Sequence, residues 1–241
     1  MDFLKEVIKA NKEIYSLIKS ASHEDLCKSF QAGFGGDLSV FIDLEAEKIF
    51  VKNLKTFGEI FSEESGEIGE GEDLIIIDPI DGSDNFKSNI PYFGTSVAKI
   101  SKGITTHAIV TNLVNGDVFY KINDEIQKTS LFFNNTKPLH VNKFASVGIF
   151  ERAYDAPKMV QKLKNENIKY RSSGALALSL AIANEVSFVL FEGKIREFDI
   201  AAGYEICNSL YRFKDDRFIL VSQDKKIFDK IRLLIEQKGN K

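Results

Sequence analysis

The sequence predicts an α/β protein, and three observations predict it. Apolar residues recur at helical spacing near both ends. A series of short apolar segments broken by turn residues fills the stretch between residues 58 and 121. After residue 140, strand-like and helix-like segments alternate. At the start, Phe3, Leu4, Val7, Ile8, Ile14, Leu17 and Ile18 share one face of a helix over residues 2–20. Ser22-x-x-Asp25 reads as a second helix start. Residues 33–37 read as a flexible turn, and 44–56 as an amphipathic helix through Leu44, Phe50, Val51 and Leu54. Strands are expected at 58–62, 74–78, 95–100, 106–112 and 117–121, with Asn115-Gly116 as a hairpin signal between the last two. A strand at 147–150 then precedes a helix at 157–166. Ile168-Lys169-Tyr170 leads into a helix at 175–184 and a strand at 186–191. A helix after Asp199, a strand at 218–222 and a helix at 225–237 complete the pattern. No Pro/Gly/Ser linker divides the chain. Residues 1–140 and 141–241 are therefore expected as an N-terminal α+β and a C-terminal α/β subdomain docked into one compact unit.

The 241 residues are ample for one large core or two subdomains sharing an interface. A hydrophobic content of 44% and a charged content of 28% describe a soluble globular chain. The net charge of −3 gives no electrostatic case for nucleic acid or an anionic membrane. Cys27 and Cys207 are the two cysteines, and they fit a reduced, cytoplasmic setting in which both are small buried hydrophobes. The N-terminus mixes charge with apolar residues, unlike a signal peptide, and no apolar run reaches membrane-spanning length.

The stretch Ile75-Ile76-Ile77-Asp78-Pro79-Ile80-Asp81-Gly82-Ser83-Asp84-Asn85-Phe86 carries the most chemistry. An apolar strand ends on two carboxylates three positions apart. With the Ile80 carbonyl between them, these make a hard oxygen site of the kind that suits Mg²⁺. Gly82 lets backbone approach a bound group closely, and the N–H groups that follow can face a phosphate. In isolation, Asp-x-x-Asp-Gly is more often an ordinary turn. An EF-hand is excluded by Ser83 and Asn89 at its sixth and twelfth positions. There is no Gly-Lys-Ser/Thr of a P-loop, no completed dinucleotide fingerprint around Gly33-Phe34-Gly35-Gly36, and no His-Glu-x-x-His. An aspartyl-phosphate mechanism needs Asp-x-Asp, whereas here two residues separate Asp78 from Asp81.

Other acidic segments accompany this one. They are Asp37-x-Ser39-x-x-x-Asp43, Glu63-Glu64-Ser65 and Phe198-Asp199-x-Ala201-Ala202-Gly203. Each alone has a structural explanation: Asp43 as the N-cap of the helix at 44–56, Asp199 as the N-cap of its own helix. Glu63, Asp78, Asp81 and Asp199 together would repel one another strongly without cations. The four motifs, in this order, resemble the inositol monophosphatase family of metal-dependent phosphatases. Weaker matches are Arg171-x-x-Gly174 before a small-residue helix and Glu192 upstream of Asp199. The resemblance runs from the first helix to at least Gly203.

The resemblance implies a layered α-β-α-β-α sandwich of the sugar phosphatase type, with the site where the two halves meet. It implies hydrolysis of a small phosphate monoester by a metal-activated water, with two or three Mg²⁺ ions. Glu63, Asp78 and the Ile80 carbonyl would hold the first ion, and Asp78, Asp81 and Asp199 the second. Catalytic roles fall on Glu63, Asp43 and Ser83, with the Ser83 hydroxyl hydrogen-bonded to Asp43 to orient the water. Substrate contacts fall on Asp81, Gly82, Ser83, Gly174, Ala175, Glu192 and Asp199. Inositol 1-phosphate or a related sugar phosphate is the expected substrate, with fructose 1,6-bisphosphate or adenosine bisphosphate as alternatives. A non-catalytic binding relative is a remote alternative. A homodimer with no nucleic-acid or membrane partner is expected. Three departures stand out. Phe198 replaces the usual Trp, Asp84 adds a carboxylate, and Asn184-Glu185-Val186-Ser187 replaces a common Gly-x-x-Asp. The run Asn89-Ile90-Pro91-Tyr92-Phe93 after Asp-Gly-Ser looks closest to members acting on both inositol phosphates and fructose 1,6-bisphosphate.

Overall fold

Alternation of side chains along the strand Leu74–Asp81 sets the layering. Ile75 and Ile77 point to one face of its sheet and join a cluster with Phe3, Val7, Ala10 and Ile14 of the helix Phe3–Ser20 and Phe50 and Leu54 of the helix Phe41–Leu54. Ile76 points to the other face. There it meets Ala177, Leu178 and Ala181 of the short helix Leu176–Ala181, together with Phe198, Ala202 and Ile206. The computed structural model describes residues 2–36 and 38–237. Asp37, part of the first acidic motif, lies outside the described residues.

The first sheet has eight strands, all drawn from residues 59–138. Antiparallel pairing dominates it, but Glu59–Ser62 runs parallel to Leu74–Asp81. The second sheet has five strands, from Tyr170–Arg171 and Gly148–Glu151 at one side, through Val189–Glu192, to Phe218–Ser222 and Tyr211–Lys214. One face of it, with Ile149, Val189, Phe191 and Val221, packs on Leu176, Leu180 and Ile200 of the same central helices. Its other face, with Phe150, Phe188, Leu190 and Leu220, is covered by the helices Pro157–Asn165 and Lys225–Glu236. The layers therefore run helix, sheet, helix, sheet, helix, which is the layered α-β-α-β-α sandwich. Within the described residues no helix is long and apolar enough to cross a membrane.

Several boundaries differ from the sequence expectation. The helix expected at 44–56 begins at Phe41, which moves Asp43 from a capping position to the third residue of the helix. The segment from Ser22 yields only His23–Leu26, and Ser22 makes no side-chain cap bond. The segment after Asp199 forms two four-residue helices, Glu197–Ile200 and Gly203–Ile206, so Asp199 lies inside the first and not at its start. Strands at Gly66–Ile68, Glu125–Ser130 and Tyr211–Lys214 join the sheets without a strong apolar pattern of their own. Cys207 is buried, but Cys27 is only half-buried and lies 3.4 Å from His23 Nε2, so the two thiols are not alike.

Ile14 is fully buried between its helix and the first sheet. Ile14→Ala should cost about 2–5 kcal/mol through lost transfer energy and a cavity. Chemical denaturation with an unchanged m-value is the check.

Candidate active site

Sheet register brings the first acidic residues together. In the parallel pair, Phe61 lies opposite Ile76 and Ser62 opposite Ile77. Continuing one residue sets Glu63 beside Asp78, and the Glu63 N–H donates to the Ile77 carbonyl at 3.3 Å. Both side chains then fall on the face that meets the central helices. Downstream, Asp78 pairs with Ser96 but Asp81 pairs with Gly94, so one strand advances three residues while the other advances two. This is a β-bulge, and Pro79 inside it needs no ladder partner for a missing N–H. The bulge re-aims the carboxylates at the strand end. Asp78 and Asp81 are both buried, and Ile80 anchors the segment by packing its side chain into the opposite core.

Asp199 reaches the cluster from above. Its helix is held over the sheet by Phe198, whose ring lies 4.8 Å from Phe61, and by the Ser96 hydroxyl, which donates to the Phe198 carbonyl at 3.5 Å. Phe198 therefore fills an aromatic packing position without Trp. Ligand oxygens of Glu63, Asp78 and Asp199 all lie within 4.8 Å of one another. Asp81 stands beside this triad, with Oδ2 accepting the Leu178 N–H at 2.7 Å. Arg196, to which no motif assigns a role, also enters the site. Its guanidinium makes two hydrogen bonds of 2.9 Å to Asp199 and an ion pair of 2.8 Å to Glu63.

Burial pushes the Asp78 and Asp81 carboxyls well above the ordinary range. For Asp78 the repulsion of Glu63, Asp81 and Asp199 adds to the effect; for Asp81 the Leu178 N–H opposes it. Asp78 Oδ1 is buried with no hydrogen-bond partner. An orphaned carboxylate oxygen in a triad of carboxylates, with a guanidinium already drawn to two of them, is a donor set that fits a hard divalent cation. The residues present thus fit the metal that the resemblance implies.

Asp43 and Ser83 do not form the expected pair. Asp43 Oδ2 accepts the Val40 N–H at 2.9 Å, which makes half of a capping box, and Oδ1 is buried without a partner. The Ser83–Asp43 hydrogen bond is therefore not made in this structure. Burial lifts the Asp43 carboxyl to about 8 against the pull of the Val40 N–H, and repulsion from Glu64 and Glu63 adds to the rise. Glu64 accepts a hydrogen bond from Ser39, and the buried Glu47 carboxylate takes both the Ser65 N–H and its hydroxyl, at 3.1 and 2.6 Å. These contacts clamp the turn that carries Glu63.

Gly82 has φ of +89° and caps the helix Ser83–Lys87. A side chain there would meet Ala175 Cβ at 3.0 Å and the Gly174 carbonyl at 3.1 Å, so the two expected substrate-contact segments touch. Gly174 has φ of +88°, and Ala175 caps the helix Leu176–Ala181. Glu192 ends the strand Val189–Glu192, with Oε1 held at 2.5 Å by Arg217, a partner the sequence did not reveal. Arg171 donates to the Tyr170 carbonyl at 2.8 Å, and Asp84 pairs with Lys87 at the surface.

A sugar-phosphatase-type sandwich with a carboxylate triad between its sheets is the class that fold and site define. The sequence matches the inositol monophosphatase family over residues 2–210, and the chain belongs to that family. It is 30% identical over 188 residues to a fructose-1,6-bisphosphatase/inositol-1-monophosphatase of Methanocaldococcus jannaschii, covering 75% of this chain and 73% of that one. It is 30% identical over 178 residues to the Nus factor SuhB of Xylella fastidiosa, covering 69% of this chain but only 64% of that protein. The fold is similar to that of the extragenic suppressor protein suhB from Bartonella henselae, with a TM-score of 0.79 at 22% identity over 98% of this chain and 97% of that one.

The raised carboxyls predict the pH dependence of the metal-free protein. A carboxyl that binds its proton more tightly when folded contributes stability at low pH. That stability is lost as pH rises from the ordinary carboxylate range through the folded value, about 8 for Asp43. In chelator, Tm should therefore fall between about pH 5 and pH 8, and added Mg²⁺ should raise Tm more at the upper value. Thermal unfolding at both pH values, with and without Mg²⁺, is the measurement.

Proposed function

We propose that this protein hydrolyses a small phosphate monoester in a Mg²⁺-dependent reaction, with inositol 1-phosphate or a related sugar phosphate as substrate. Family membership supports phosphatase activity. The Glu63–Asp78–Asp199 triad, with the orphaned Asp78 Oδ1, is the observation that carries the reading. Glu63, Asp78 and the Ile80 carbonyl would hold one ion; Asp78, Asp81 and Asp199 would hold a second, with room in the proposal for a third. When bound, Mg²⁺ supplies the Lewis acidity that polarises phosphoryl oxygens and makes a water acidic enough to attack.

The chain's own groups do the rest. Backbone N–H groups at Gly82 and Ser83 donate to the phosphate, next to the carboxylates that would hold the cations balancing its charge. Gly174 and Ala175, packed on Gly82, face the sugar or inositol, and Glu192 accepts from its hydroxyls. Asp81 and Asp199 also touch the substrate end. Glu63 orients the water, and Ser83 joins it once its hydroxyl turns to donate to Asp43, a bond this structure does not hold. Asp43 Oδ1 is the oxygen left to accept from Ser83. Fructose 1,6-bisphosphate and adenosine bisphosphate are the alternative substrates. The reading takes residues 1–140 and 141–241 as two subdomains that complete one site. It places the protein in the cytoplasm as a homodimer, with no nucleic-acid or membrane partner.

Phosphate release from a panel of these esters should require Mg²⁺ and vanish in excess chelator. Asp81→Asn and Asp199→Asn should each abolish turnover at saturating Mg²⁺ with the fold retained by circular dichroism. Near-normal rates in either would show that the ligand assignment is misplaced. Several relatives are named Nus factor SuhB, which favours a second reading as a binding or assembly protein. That reading takes over if the wild-type protein releases no phosphate from any ester of the panel.

Ser83→Ala tests the water-orienting pair. Loss of general-base assistance should lower kcat by ~10²–10⁴-fold with little change in KM, while Ser83→Thr keeps most activity. An alanine variant within about threefold of wild type would move water activation to Glu63 and the metals alone.

A further inference from the structure

We propose that Glu151 is a positioning residue: its buried carboxylate holds the Ser173–Ala175 segment and the helix after it against the Asp81–Gly82 segment, fixing the spacing between the two sides of the site. The proposal rests on the phosphatase reading above for its kinetic consequence, and on geometry alone for its structural one.

Glu151 is the last residue of the strand Gly148–Glu151 in the five-stranded sheet, and it is 2% exposed. No lysine or arginine pairs with it among the described residues. A buried carboxylate without a cation is costly unless its oxygens accept hydrogen bonds. Oε2 accepts the Gly174 N–H at 2.7 Å, and Oε1 accepts the Ser179 hydroxyl at 2.5 Å. Burial outweighs these donors and raises its pKa.

The bonds continue into a closed circuit. The Ser179 hydroxyl lies 3.0 Å from the Tyr92 hydroxyl. The Tyr92 carbonyl accepts from Asn85 Nδ2 at 2.7 Å, and the same amide donates to the Ser173 carbonyl at 2.7 Å. Ser173 is bonded covalently to Gly174, where the circuit began. Asn85 and Tyr92 follow Asp81 in the chain, whereas Glu151 belongs to the other sheet. The helix that carries Ser179 also gives the Leu178 N–H to Asp81. Gly174 sits so close to Asn85 that an added Cβ would lie 2.9 Å from its Oδ1. Removing the Glu151 carboxylate orphans the buried Gly174 N–H, leaves the Ser179 hydroxyl with Tyr92 alone, and releases both ends of the segment that packs on Gly82.

A purely fold-stabilising glutamate makes a different forecast. It would lower Tm on removal and leave the folded enzyme with an unchanged KM. The experiment compares Glu151→Ala, Glu151→Gln and Ser179→Ala with wild type, using the phosphate ester that wild type turns over best. Glu151→Ala should raise KM by about tenfold or more, with a smaller fall in kcat, because substrate binding loses a pre-formed wall. Glu151→Gln still accepts the Gly174 N–H and can donate to the Ser179 oxygen, so its KM should stay within about threefold of wild type. Ser179→Ala removes the bonds to Glu151 and Tyr92 but keeps the Glu151 bond to the Gly174 N–H, so it should shift KM in the same direction by less; it decides the matter if Glu151→Ala does not fold. Hydrogen exchange on the metal-free proteins gives a readout independent of catalysis. Amides of residues 82–92 and 173–178 should exchange faster in Glu151→Ala and Ser179→Ala. Wild-type KM in folded Glu151→Ala, or faster exchange confined to residues 148–151, overturns the proposal. Should wild type hydrolyse no ester, the phosphatase reading fails, and the exchange measurement still decides the positioning role.

Discussion

Acidic side chains are drawn out of water where a strand of one sheet ends against the helices that separate it from the other. Asp78 and Asp81 are fully enclosed, and Glu63 and Asp199 close around them. Carboxylates this close cannot all be charged without compensation. The neighbourhood is built from what compensates: the Leu178 N–H on Asp81, the Val40 N–H on Asp43, and the Arg196 guanidinium on Glu63 and Asp199. Even so, two carboxylate oxygens, Asp78 Oδ1 and Asp43 Oδ1, are buried without partners. Native cores rarely leave such atoms unserved by a water, an ion or another ligand.

The layering follows from the same place. Helices between two sheets must be apolar on both sides, and the segment from Leu176 to Ala181 is accordingly buried at every position. Its small residues let the eight-stranded sheet approach closely, with Ala177 and Ala181 on that side and Leu176 and Leu180 toward the five-stranded sheet. Polar atoms in this thin layer have few partners to choose from. Ser179 therefore bonds Glu151 on one side and Tyr92 on the other, and the Leu178 N–H goes to Asp81. Fold stability and site geometry are carried by the same short helix.

Legibility from the sequence followed the range of the interactions. The strand ending on Asp78 and Asp81 was readable because an apolar run, a proline and two carboxylates are adjacent in the chain. Sheet alternation and the parallel register are local enough that Glu63 beside Asp78 agrees with the pattern. The start of the helix Phe41–Leu54 was displaced because Asp43 looks like an N-cap. It instead reaches back three residues to Val40 from inside the helix. The strand Glu125–Ser130 has too few apolar residues to announce itself and is specified by its neighbours in the sheet. Glu151 was invisible for a different reason. Its partners lie 23 and 28 residues further on, and nothing in Gly148-Ile149-Phe150-Glu151 signals a buried carboxylate.

Arg196 shows how sequence pattern and geometry divide the work. In Arg196-Glu197-Phe198-Asp199, spacing alone permits an i to i+3 ion pair on one helical turn. The fold adds the contact to Glu63, which comes from the far side of the chain's first half, and so places one positive charge against two of the three clustered carboxylates. A guanidinium offers fixed, planar donors, while a hard cation asks for converging oxygens. It bonds both oxygens of Asp199 but leaves Asp78 Oδ1 unserved. Arg196 can therefore moderate the repulsion in this cluster without satisfying it. The oxygen it leaves over belongs to the residue at the bulge, between the strand end that supplies Glu63 and the helix that supplies Asp199, which is where a further cation would be held.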